Sequence, residues 1–158
     1  MEDSAILRVT TYLEELSNVR FDHFPGLILQ GLQVIHVGKG FVQCKLIITD
    51  RVLGEDGTFH TGVIAALMEL IGATAIYSDG GSHSHASIDL NYSLYSTAKN
   101  KEEVKIEARV VGRKEDLNSA VIEIRREYDE ELIAMGRLRM VKLSLSVKHN
   151  VVHQASKL

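Results

Sequence analysis

Apolar positions recur along this chain with two different periods, and the switches between them mark its elements. From Ala5 to Leu16, Ile6, Val9, Leu13 and Leu16 fall at helical spacing with Glu14 and Glu15 outside the stripe, which predicts a short amphipathic helix within residues 1–20. A loop through Phe21, Asp22, His23, Phe24 and Pro25 follows. Leu32 to Val37 and Phe41 to Ile48 flank Gly38-Lys39-Gly40, and in the second run Val42, Cys44, Leu46 and Ile48 alternate with Gln43 and Lys45. That pattern predicts a β-hairpin. From Phe59 to Ser78 the alternation stops. Val63, Ile64, Leu67, Met68, Leu70, Ile71 and Ile76 are interleaved with alanine and glycine, so the segment is apolar nearly all round and predicts a buried helix. It reaches the length of a membrane span, but Glu69, His60 and other polar residues interrupt it, and no span is expected.

Past Gly80-Gly81-Ser82 the period returns to two. Strands are predicted over His85 to Tyr92, Glu103 to Arg113, Ser119 to Tyr128, and Glu131 to about Leu145, with a tight turn at Asp129-Glu130. Val104, Ile106, Ala108 and Val110 alternate with Lys105, Glu107 and Arg109, giving one dry and one wet face. One apolar helix and strands with a single dry face bury each other most simply in one way. The expected fold is α+β, a single domain over residues 1–158, with a curved antiparallel sheet wrapped around one long central helix.

Composition narrows the function classes. A hydrophobic share of 45% and a charged share of 25% suit a packed core, and a net charge of −3 offers no electrostatic footprint for nucleic acid. The one cysteine, Cys44, has no partner for an internal disulfide and sits on the dry face of a predicted strand, as a small buried hydrophobe would. Acidic residues near the first position and the lack of a long apolar run there argue against a secretory or transit segment. Ser156-Lys157-Leu158 is the tripeptide read by the peroxisomal import receptor, so a peroxisomal matrix location is expected for the tail, residues 147–158.

Candidate chemistry concentrates on the apolar helix. Glu69 is the only charged side chain between His60 and Asp79, and an unpaired buried carboxylate costs several kcal/mol. A carboxylate held on a rigid element suits a general base or nucleophile, and equally a structural ion pair. Gly57 to Gly62 leads straight into the helix, whose first turn has free N–H groups and the positive end of the dipole. Those donors could hold an oxyanion; they could also merely be capped, by Thr58. Together the two features point to acyl transfer.

The stretch from Gly57 to Lys99, GTFHTGVIAALMELIGATAIYSDGGSHSHASIDLNYSLYSTAK, resembles the acyl-CoA thioesterases of the hotdog superfamily, in the subgroup of acyl-CoA thioesterase thirteen (thioesterase superfamily member two) and its plant relatives. The similarity extends over roughly residues 30 to 143 and includes Glu131 to Arg137. It implies the hotdog fold, homodimers paired into homotetramers, and hydrolysis of acyl-CoA with no cofactor beyond the coenzyme A of the substrate. The family's His-Gly-Gly falls on His60, Thr61 and Gly62, its helical acid on Glu69, and its water-holding serine on Ser87. By that resemblance the Thr61 N–H polarises the thioester carbonyl, and Glu69 of the opposite subunit activates water or attacks directly. Two positions depart from the pattern: Gly54 stands where the family often has asparagine, and Thr61 where it has glycine.

Coenzyme A phosphates call for cations, and Lys99, Arg113, Lys114 and Arg137 are the candidates, each equally at home as a solvated surface charge. His83 and His85 lie near each other in sequence and His60 could join them, but no fourth ligand completes a zinc site and no metal is expected. Two other functions compete with hydrolysis. One is a catalytically weak acyl-CoA binding protein, made credible by Gly54 and Thr61; the other is an enoyl-CoA hydratase-type enzyme, which lacks its usual following histidine here.

Overall fold

The computed structural model describes residues 2–18, 24–80 and 83–143. Helix α1 (Glu2–Asn18) and a short α2 (Phe24–Leu29) precede the hairpin β1 (Gln33–Gly38) and β2 (Phe41–Ile47). A 3₁₀ turn (Asp50–Val52) leads to α3 (Thr61–Ser78), then β3 (His85–Leu94), β4 (Glu103–Lys114), β5 (Leu117–Arg126) and β6 (Leu132–Lys142). The six strands form one sheet in the order β1-β2-β4-β5-β6-β3, and every neighbouring pair is antiparallel. The long helix lies across one face of this sheet, as its composition predicts.

The core is the interface between them. Leu67, Met68, Ile71 and Ala75 of α3 are fully buried against Cys44, Ile106, Ala108, Ile122 and Leu138 of the sheet. The period-two pattern of β2, β4 and β5 places every second residue in that layer. Gly72 lets the helix settle: a Cβ there would stand 3.0 Å from both Ile122 Cδ1 and Leu138 Cδ2. By length and apolarity α3 would pass for a membrane span, yet 56% of it is buried inside the fold. Ile71 to Ile76 are buried all round, whereas the first half of α3 has a partly open side, with Val63, Ala65, Ala66, Glu69 and Leu70 half-buried.

Several sequence expectations need adjustment. Phe24 and Pro25, expected in a loop, begin α2, where proline is tolerated because first-turn N–H groups have no helical partner. Six residues are too few for a periodic signal, and tertiary burial of Ile28 and Leu29 holds this helix. The buried stripe of α1 is Ala5, Val9, Leu13 and Leu16, with Ile6 only half-buried. The central helix starts at Thr61 rather than Phe59, and β6 ends at Lys142. Phe21 to His23, Gly81-Ser82, and the tail with Ser156-Lys157-Leu158 lie outside the described residues.

Candidate active site

Two elements carry the candidate chemistry, the start of α3 and the pairing of its middle with β3. The chain enters α3 through a loop that hydrogen-bonds to itself: Gly54 N–H donates to Thr58 O at 2.8 Å and Gly57 N–H to Gly54 O at 3.0 Å. Asp56 Oδ1 accepts from the Thr58 N–H and hydroxyl, at 3.0 and 2.8 Å, and these bonds hold its carboxyl below the usual carboxylate range. Thr58 therefore belongs to the turn and does not cap the helix. His60 is the cap: its Nδ1 accepts the Gly62 N–H at 3.0 Å, and its own N–H donates to Val52 O at 2.9 Å. That leaves the Thr61 N–H without a hydrogen bond among the described residues, at an exposed helix start. The same turn explains Gly54. A Cβ there would sit 3.2 Å from Asp56 Oδ1, so the Asp56 carboxylate occupies the space beside it.

Glu69 lies two turns further along α3, half-buried, and Ser87 Oγ donates to its Oε1 at 2.7 Å. A β-bulge makes this contact possible. The β3–β6 register slips between Ser87 and Asp89, so that Ser87 stands opposite the buried Met140 while Asp89 stands opposite Arg139. In a regular strand residues 87 and 89 would share a face; the extra residue, Ile88, turns Ser87 toward α3 and leaves Asp89 on the outer side. Tyr12 of α1 is a further neighbour that sequence reasoning missed. Its hydroxyl is pushed up by burial and, after that, by the charges of Glu69 and Tyr77. No local signal marks Tyr12, because only the packing of α1 on α3 brings it there.

The cations do not converge. Lys99 pairs with Thr58 in an isolated bridge, which puts it beside the start of α3. Arg113 lies beyond the other end of the helix, ion-paired with the C-cap Asp79 and donating to its carbonyl at 3.1 Å. Lys114 is exposed at the end of β4, and Arg137 is exposed opposite Asn91 on the outer sheet face. His83 and His85 stand past the C-terminal end of α3 and His60 at its N-terminal end, so an 18-residue helix separates them. Among the described residues no three His, Cys, Asp or Glu side chains are grouped as metal ligands.

A family model described as Thioesterase superfamily matches residues 56–133, the span from the turn before α3 into β6. Over these residues the chain is similar to the thioesterase superfamily. Mouse acyl-coenzyme A thioesterase 13 is 26% identical over 131 residues, which cover 82% of this chain and 93% of that one. The crystal structure of zebrafish thioesterase superfamily member 2 superposes with a TM-score of 0.77 at 23% identity, covering 87% of this chain and 97% of that one. A Streptococcus mutans protein bound to acetyl-CoA gives a TM-score of 0.67 at 16% identity, covering 80% and 94%. Those two structural likenesses concern the fold, a six-stranded antiparallel sheet with one long helix. Within this fold, the elements that the matched residues span are the ones that carry Thr61, Glu69 and Ser87.

Proposed function

We propose that this chain hydrolyses acyl-CoA thioesters to the free acid and coenzyme A. The observation that carries the chemistry is the Ser87–Glu69 hydrogen bond on the open side of a helix whose first N–H is unused. Ser87 gives its proton to that bond, so its oxygen can accept one from water and hold the water against Glu69. Glu69 would take the second proton as the water oxygen adds to the thioester carbonyl. The tetrahedral oxyanion would accept the Thr61 N–H, and its collapse breaks the carbon–sulfur bond and releases the coenzyme A thiolate, which takes up the proton. Acyl-coenzyme A thioesterase activity is what the mouse relative's name records, and the same reaction fits these groups.

One subunit is too extended to do this alone. Thr61 and Glu69 are eight residues apart, about 12 Å along the helix axis, too far to meet one carbonyl group. A second copy supplies the missing half. In support, β3 is a ten-residue edge strand with exposed Ile88, Tyr92 and Leu94, and the open side of α3 beside it is largely apolar. We therefore place the site at a homodimer contact, with pairing to a homotetramer as the further expectation. Lys99, next to the helix start, is the candidate best placed for a coenzyme A phosphate. Recognition of Ser156-Lys157-Leu158 by the import receptor would bring the enzyme to the peroxisomal matrix.

The test is thiol release from a panel of acyl-CoAs by the wild-type protein and by Glu69→Gln, with folding and assembly matched. Turnover by the wild type and a loss of about a hundredfold in the variant is the expected result. Tight binding with no turnover by either would make the chain an acyl-CoA binding protein instead.

A further inference from the structure

Two cavities adjoin each other on the side of the fold that α2 covers. The first, of about 300 Å³, is lined by Phe24, Leu53 and Val63 together with His60 and Gly62, so it borders the start of α3. The second, of about 340 Å³, lies between α2 and the end of β2, against Leu27, Ile28, Leu46 and Ile47. Arg51 and Val52 line both. Val52 is 4% exposed and anchored in the core, so it is a fixed part of the lining where the two meet. Arg51 is exposed, and its guanidinium donates to Gln30 Oε1 at 2.8 Å, bridging the 3₁₀ turn to the residue after α2.

We propose that the two cavities form one segmented site for a linear acyl chain, with Val52 and the Arg51–Gln30 bridge setting the length at which a chain must enter the second segment. The inference rests on the acyl-thioester reading of the α3 start and adds a specificity device to it. A thioester carbonyl held by the Thr61 N–H leaves its acyl group next to Gly62 and Val63, at the border of the first cavity. Either cavity alone is at the small end of ligand sites, which run from about 300 Å³ upward. A flexible chain can bend past Val52 and use both; a rigid aromatic ring enters the first and stops there. The lining is the right chemistry, because each methylene taken from water into an apolar wall strengthens binding about fourfold. Phe24, Leu27 and Ile47 are left substantially exposed around these openings, an arrangement that a bound chain would cover.

The experiment uses non-hydrolysable thioethers of coenzyme A, hexyl and hexadecyl, kept below their micelle concentrations. Their affinities are measured by calorimetry with the full-length wild-type chain, Ile47→Trp, Leu27→Trp and Gln30→Ala. Ile47 and Leu27 are half-exposed on opposite walls of the second cavity, so either tryptophan can fill it, and one serves if the other fails to fold. The expected result is a hexadecyl-to-hexyl affinity ratio lowered about tenfold or more by the tryptophans and raised by Gln30→Ala. An unchanged ratio, or equal weakening of both ligands, overturns the proposal, as does failure of the wild type to bind either. Thiol release is scored separately. Its absence would end the hydrolase reading while the affinity ratio still decides this one.

Discussion

Gly136 offers a clean measure of how tightly β3 is held against the central helix. It lies on β6 opposite Tyr92, and a Cβ added there would stand 2.8 Å from the Asn91 carbonyl oxygen, 2.8 Å from Tyr92 Cβ and 3.0 Å from Met68 Sδ. The methionine can swing away, but the other two atoms are fixed to the β3 backbone, so the strand itself must move. Overpacking of this kind costs about 1–3 kcal/mol, which for a chain of this size lowers Tm by roughly 3–10 °C. Gly112, on β4, makes the control: nothing lies within 4 Å of its built Cβ and its φ is not positive. Gly112→Ala should be neutral or stabilise by up to about 1 kcal/mol, because it restricts only the unfolded chain. The assay is thermal and denaturant unfolding of both variants at one protein concentration. Because β3 carries Ser87 and Met68 adjoins Glu69, acyl-CoA hydrolysis by Gly136→Ala should fall as well. Indistinguishable stability for Gly136→Ala and Gly112→Ala would refute the argument.

Other residues give independent checks. Ser87→Ala should reduce hydrolysis about tenfold to a hundredfold with little change in fold stability, since the hydroxyl is exposed and its partner is the half-buried Glu69; steady-state rates that match wild type would remove Ser87 from the mechanism. His85 is held below its ordinary value by burial first and then by the charges of Arg113, His83 and Lys142, against a hydrogen bond to His83 O that favours its charged form. The unfolded chain therefore takes up this proton first as pH falls through about 6.5, so the folded state should lose stability below that pH. An NMR titration midpoint for His85 at or above the unfolded value would contradict this. Burial pushes the Cys44 thiol up to about 12, so it should resist thiol reagents in the native protein and react only on unfolding. Rapid native-state labelling at pH 8 would show that the β2 layer opens.

Much of this protein is written in its periodicities. The period-two runs around Cys44, Ile106 and Ile122 and the all-apolar run from Val63 to Ile76 dictate a sheet with one dry face and a helix to cover it, because each must bury what it cannot leave in water. Glu69 stands out for the same reason, as a charge among residues that shed water. The resemblance of residues 57–99 to thioesterases pointed to His60, Thr61, Gly62 and Ser87. What the sequence could not show was how distant groups meet. The bulge at Ile88 turns Ser87 onto Glu69, a choice of face made by strand pairing and invisible to composition. His60 takes the cap from Thr58 because Asp56 claims Thr58 first. Arg113, plausible as a phosphate ligand, is bound to Asp79 at the far end of α3. The six-residue α2, with the cavities beneath it, has too few residues for a period and exists because Ile28 and Leu29 are buried. Patterns of burial are local and can be read along the chain; partnerships between side chains are decided by tertiary packing, which brings together residues tens of positions apart.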